Sequence, residues 1–304
     1  ADPGPHVGLF ITEGLRDEVV LRRVGTPRVW WELTSLGSPA VVAWIVETLT
    51  AQGAQRVPWE TWLRLTEATW WQAELARLLM QAETERTAAW LHDQWTGRFG
   101  AALQQLSQMP DAAARQEQLH AWMAWEDWAL HLTRPWRVVL AGPPNVGKST
   151  LLNALAGYDR AIADPTPGTT RDAVTARVTI EGWPMEVVDT AGLREPADAI
   201  EEAGLAKAAQ ARSGADLVLW LRSGDVPAAP PAAVASPRQM SVWTKADLQP
   251  APPGELAVSA QTGEGIEELR RAMATALVPC VPPPEVPLAA SPALAAGLRR
   301  AATG

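Results

Sequence analysis

Three short Val-rich runs open the chain: His6–Ile11, Asp17–Val24 and Arg28–Thr34, separated by Gly or Pro. Runs of this length between turn residues predict strands. Ser38 then precedes Val41, Val42, Ile45, Val46 and Leu49, apolar positions at helical spacing. They share one helix face, with Ser38 as N-cap and an end near Gln52. From Trp59 to Leu132 the helical pattern continues, through Leu63, Trp70, Leu75, Leu78 and Leu79, then Ala88, Leu91 and Trp95. The few breakers are Gly97, Gly100 and Pro110. A row of tryptophans could serve as a stacking platform for bases, but this spacing predicts a packed helical core.

At Pro135 the pattern changes. Trp136–Ala141 is continuously apolar, and Ala173–Ile180, Met185–Val188, Ser241–Trp243 and Glu255–Val258 follow as strands. Strands alternating with helical stretches predict an α/β domain. Val226–Pro237 and Gln249–Pro253 are proline-rich where crossover helices would often stand, which implies a pared-down sheet domain. After Val278 come a proline-rich linker and one short helix, Ser291–Ala302. The expected organisation is therefore 1–57, a small α+β unit; 58–135, a helical domain; 136–278, the α/β domain; and 279–304, linker and helix.

Composition narrows the function. Net charge is −8 and no large segment is basic, with only Arg22, Arg23 and Arg28 clustered. Phosphate neutralisation supplies most nucleic-acid affinity, so DNA binding is excluded and direct tRNA binding is expected to be weak or partner-dependent. No apolar stretch reaches the ~18 residues a membrane span needs. The single cysteine, Cys280, leaves no internal disulfide and fits a reducing cytoplasm. Sixteen Trp stand against two Phe and one Tyr, and twenty-three Arg against three Lys. Such skew reads as compositional drift, so a lysine that survives it is informative.

Gly142-Pro-Pro-Asn-Val-Gly-Lys-Ser149 fits the P-loop pattern between a buried strand and an amphipathic helix, Thr150–Gly157. Gly142, Asn145, Val146, Gly147 and Thr150 would frame a cradle of backbone N–H groups at a helix N-terminus. Lys148 would reach the β- and γ-phosphates, and Ser149 would ligate magnesium. Gly168-Thr-Thr-Arg-Asp172 follows in a polar loop, where Thr170 would complete the magnesium shell. Asp189-Thr190-Ala191-Gly192 ends an apolar strand, with Asp189 holding magnesium through water and the Gly192 N–H sensing the γ-phosphate. Thr244-Lys245-Ala-Asp247 carries base choice: a carboxylate accepts from guanine N1–H and N2–H₂, which adenine cannot offer, while the Lys245 stem covers the ring. Ser259-Ala260 would close on guanine O6. The expected ligands are GTP and GDP.

These residues together resemble the tRNA-modification GTPase MnmE (TrmE) family. The likeness rests on the P-loop, Leu-Leu-Asn-Ala-Leu-Ala-Gly (151–157), Gly-Thr-Thr-Arg-Asp and Asp-Thr-Ala-Gly-Leu-Arg-Glu (189–195). It extends to Glu60 and Trp71-Gln-Ala-Glu-Leu-Ala, and loosely to Trp31-Glu-Leu through Leu49. The resemblance implies a P-loop GTPase domain of α/β fold, following a helical domain and a small N-terminal α+β unit. It implies GTP hydrolysis stimulated by potassium, held by Asn145 with Asp164, Thr166 and Thr169 and standing in for an arginine finger. It also implies GTPase domains paired head to head in a homodimer. Leu193 stands where many small GTPases keep a glutamine, and the water-orienting glutamate is Glu201 by register, with Glu202 beside it as the alternative.

Departures weaken the rest of that inheritance. The family's formyl-folate stretch His-Gly-Gly reads Leu36-Gly-Ser here, and its folate lysine aligns with Glu67, although Glu32 matches. Folate is therefore not expected. The family's C-terminal Cys-x-Gly-Lys is not found, and Cys280-Val-Pro-Pro is no substitute. One expectation is a GTPase derived from wobble-uridine modification. The alternative is a regulatory or ribosome- or complex-assembly switch, acting on a protein partner, that has lost the modification chemistry.

Overall fold

The computed structural model describes residues 6–12, 15–24, 30–35, 38–158, 174–189, 214–226 and 238–303. It divides into two compact units, Ala1–Arg77 and Leu78–Gly304. In the first, β1 (His6–Thr12), β2 (Leu15–Val24) and β3 (Trp30–Ser35) form an antiparallel meander in that order. Helix α1 (Pro39–Ala51) begins where expected. The Ser38 hydroxyl accepts from the Val41 N–H at 3.2 Å, and Pro39 takes the first helical position, where its missing N–H costs nothing. Helices α2 (Trp59–Thr66) and α3 (Trp70–Leu79) follow, and Leu63 and Leu75 are buried. Trp70, expected in the core, is 45% exposed. Helical side chains lean toward the N-terminus, which carries a residue at the first position away from the packed stretch.

The second unit begins with α4 (Glu85–Asp93), a π-helical turn at Gln94–Arg98, α5 (Phe99–Gln108), α6 (Ala112–Met123) and α7 (Glu126–Leu130). The expected break at Gly97 is present as a kink: its backbone, at φ 148, is non-helical and separates two helical stretches. Gly100 lies inside α5, whereas Pro110 does end it and Asp111 caps α6.

The sheet runs β5-β6-β4-β7-β8-β9, from β4 (Trp136–Ala141), β5 (Val174–Ile180), β6 (Trp183–Asp189), β7 (Leu217–Arg222), β8 (Gln239–Trp243) and β9 (Leu256–Ala257). All pairings are parallel except the β5–β6 hairpin. Val138, Val139 and Leu140 are fully buried, as a strand covered on both faces requires. Helices α8 (Lys148–Tyr158) and α9 (Ile266–Leu277) belong to this domain. Among the described residues no helix is long and apolar enough to cross a membrane.

Compactness does not follow the divisions expected at residues 57, 135 and 278, because helices and sheet share contacts. The β5–β6 turn places Glu181 and Gly182 at positive φ. Thr84 Oγ1 donates to the Gly182 carbonyl at 2.7 Å, and Arg86 donates to the Glu181 carbonyl at 2.6 Å while lying over the Trp183 ring. Trp128 meets Trp183 edge-on with centroids 5.5 Å apart. His131 stacks on Trp136 at 3.5 Å, and burial pushes its imidazole pKa down, against the opposing pull of Asp216 3.7 Å away.

Residues 286–290 of the expected linker are buried structure. Val286, Leu288, Ala289 and Ala290 are in the core, and α10 (Pro292–Thr303) packs on α5 and α6. Gln94, fully buried in the π turn, donates from Nε2 to the Val286 carbonyl (3.3 Å) and accepts from the Leu288 N–H at Oε1 (3.0 Å). One side chain thus satisfies two buried backbone groups nearly two hundred residues away. Gln94→Leu keeps the volume but orphans both groups, each worth roughly 1–3 kcal/mol. The expected result is a loss of about 2–4 kcal/mol in urea unfolding, and an unchanged midpoint would show that water replaces the amide.

Candidate nucleotide site

The P-loop, Asp189, the Thr244–Asp247 loop and the Ser259 loop lie at the carboxyl ends of strands β4, β6, β8 and β9, where open α/β sheets bind ligands. The loop after β4 turns at Gly142, with φ 145, and a Cβ there would sit 2.6 Å from the Leu221 carbonyl oxygen. Glycine is therefore required at that corner. Asn145 and Gly147 also take positive φ, which curls the loop into the N-terminus of α8. Val146 is fully buried and anchors the loop, while Asn145, Ser149 and Thr150 are exposed on it. Lys148 is only 8% exposed, and its Nζ donates to the carbonyls of Gly142 (3.0 Å) and Pro143 (2.8 Å). The ammonium is held across the mouth of the loop.

Ser149 and Asp189, expected to share magnesium, are brought together: Ser149 Oγ donates to Asp189 Oδ2 at 2.5 Å. Asp189 is 1% exposed at the end of β6. Two hard oxygen donors at one point suit magnesium. Asp164, Thr166, Thr169, Thr170, Thr190, Ala191, Gly192, Leu193, Glu201 and Glu202 lie outside the described residues.

The base loops follow β8 and β9. Thr244 is buried, and its hydroxyl proton faces two acceptors, the carbonyls of Val146 (2.6 Å) and Arg222 (3.0 Å). It links the base loop to the phosphate loop through protein atoms. Lys245 takes φ 58, half-buried, and Asp247 is exposed beyond it. The Ala246 N–H donates to the Val258 carbonyl at 3.2 Å, which ties this loop to the one carrying Ser259 and Ala260. Ser259 is fully buried, and its hydroxyl accepts from the Thr262 N–H at 3.1 Å, which fixes the second loop's turn. One neighbour was not foreseen. Asp225, in the turn after β7, pairs with Lys245 Nζ at 2.6 Å. No motif marks it, and no spacing links it to Lys245.

Residues 137–245 match the family described as 50S ribosome-binding GTPase. The chain is also similar to tRNA modification GTPase MnmE of Thermus thermophilus, 48% identical over 47% of this chain and 33% of that protein. MnmE of Methylobacterium sp. is 52% identical over 46% of this chain and 32% of that protein. MnmE of Chloroflexus aurantiacus is 40% identical over 59% and 44% respectively. The matched region thus spans about a third to under half of the length of these curated relatives. Among solved structures, Era of Aquifex aeolicus is 26% identical over 49% of this chain and 59% of that one, with a TM-score of 0.36. A score that low carries no weight, and the assignment rests on the sequence matches.

Proposed function

From a GTP-binding chain with an MnmE/TrmE-like P-loop GTPase domain as the premise, we propose that the protein hydrolyses GTP to GDP and phosphate. The observation that carries this reading is the joining of the loops. Thr244 ties the base loop to the P-loop, and Ala246 ties it to the Ser259 loop. A nucleotide seated there meets guanine-reading groups at one end and Lys148 with Ser149 at the other. Lys148 draws charge from the β- and γ-phosphates, and backbone N–H groups of the loop hold them. Ser149, and Asp189 through water, would hold a magnesium ion, which would supply positive charge against the phosphates.

Potassium belongs to the same proposal. Asn145 would hold it, with Asp164, Thr166 and Thr169 as further oxygen donors, and Glu201 would orient the attacking water. Head-to-head pairing of two GTPase domains goes with that mechanism. The relatives' named role, tRNA modification, is proposed as the system the protein serves, with a partner supplying the RNA contacts that a net charge of −8 does not favour. The test is steady-state hydrolysis at matched ionic strength. GTP, not ATP, is expected to turn over, several-fold faster in potassium than in sodium, and Asn145→Ala is expected to abolish that difference. Equal rates in the two salts would remove the potassium step, and equal turnover of ATP and GTP would overturn the reading.

A further inference from the structure

Lys245 is the residue whose stem is to cover the base, yet nothing in its own motif fixes where that stem lies. A lysine carries a flexible four-carbon stem and loses rotamer entropy when held. Its backbone is fixed: φ is 58, and the Lys245 carbonyl accepts from the N–H groups of Leu248 and Gln249. Its far end is fixed as well, by Asp225 Oδ2 at 2.6 Å from Nζ. With both ends tied, the methylenes between them form a fixed apolar strip.

The turn that presents Asp225 is itself built. The Val226 N–H donates to the Ser223 carbonyl at 3.2 Å, and an antiparallel bridge joins those two residues. Gly224 in this turn lies against the base loop, where its nearest neighbours are the side chains of Gln249 and Trp243. Trp243 Nε1 donates in turn to the Gln249 carbonyl at 3.1 Å. The Lys245 ammonium holds the Asp225 carboxyl below its ordinary pKa, so the carboxylate stays charged across the neutral range.

We propose that Asp225 is a positioning residue for guanine binding: by holding Lys245 Nζ, it pre-sets the lysine stem on which the base rests. The inference rests on the guanine-nucleotide reading above. Asp225 pairs with Lys245 in the base loop, so its influence falls on the base end of the ligand. An exposed ion pair is a modest device, which sets the expected effect at about threefold.

The test is a double-mutant cycle, read by calorimetric titration of the whole chain with GDP and by steady-state hydrolysis. Asp225→Ala is expected to weaken GDP about threefold and to raise KM for GTP by a similar factor, with kcat unchanged. Asp225→Glu, which keeps the charge, is expected to recover much of that loss. In a Lys245→Ala background, Asp225→Ala is expected to have no further effect, since the group it acts through is gone. An equal loss in that background would make Asp225 a support of its turn alone and overturn the inference. So would a variant that binds GDP as tightly as the parent. A parent chain that binds no GDP would overturn the functional reading instead.

Discussion

Lys148→Ala is expected to lower kcat for GTP by at least about 10²–10³-fold, the scale on which a single preorganised electrostatic group acts in a water-poor site. The side chain is 8% exposed, and its ammonium already sits on the carbonyls of Gly142 and Pro143, so little reorganisation is needed when phosphates enter. Charge that develops on the phosphates in the transition state then meets a cation that water screens poorly. Alanine leaves the loop's N–H groups in place. Binding should therefore fall less than turnover, with GDP affinity lost by a smaller factor than kcat. Single-turnover hydrolysis beside GDP titration measures both. Wild-type turnover in the variant would mean that the chemistry happens elsewhere.

The loop after β4 was legible because its pattern demands residue types at fixed short spacings: glycine at a corner no Cβ fits, then lysine and serine opening a helix. The parallel strands were legible for a related reason, since burial on both faces writes itself as a continuous apolar run, as in Trp136–Ala141. Two features were not legible, and both depend on long-range partners. Val286–Ala290 reads as linker because proline and alanine carry no periodicity there. Its burial depends on Gln94, far back in the chain. Asp225 reads as an ordinary turn aspartate until the fold sets it beside Lys245.

Asp247→Asn is expected to cut affinity for GDP by about 10²-fold and to create a preference for xanthosine nucleotides. Aspartate offers two acceptor oxygens to the two donors on the guanine edge, and hydrogen bonds to a charged group are worth roughly 1.5–3 kcal/mol each. Asp247 is exposed, which puts the expectation at the lower end of the ~3–6 kcal/mol those two bonds would give. Asparagine keeps the shape but turns one acceptor into a donor, which then faces the guanine amino group, donor against donor. Xanthine carries a carbonyl at that ring position, so the new N–H₂ finds an acceptor and the mismatch disappears. Because Asp247 is exposed, the thermal unfolding midpoint should stay within about a degree of the parent, as surface substitutions usually do. Titration of parent and variant with GDP, XDP and ADP checks this directly. If the variant still prefers GDP, the carboxylate does not read the base, and the guanine assignment would have to rest on Ser259 and Ala260 alone.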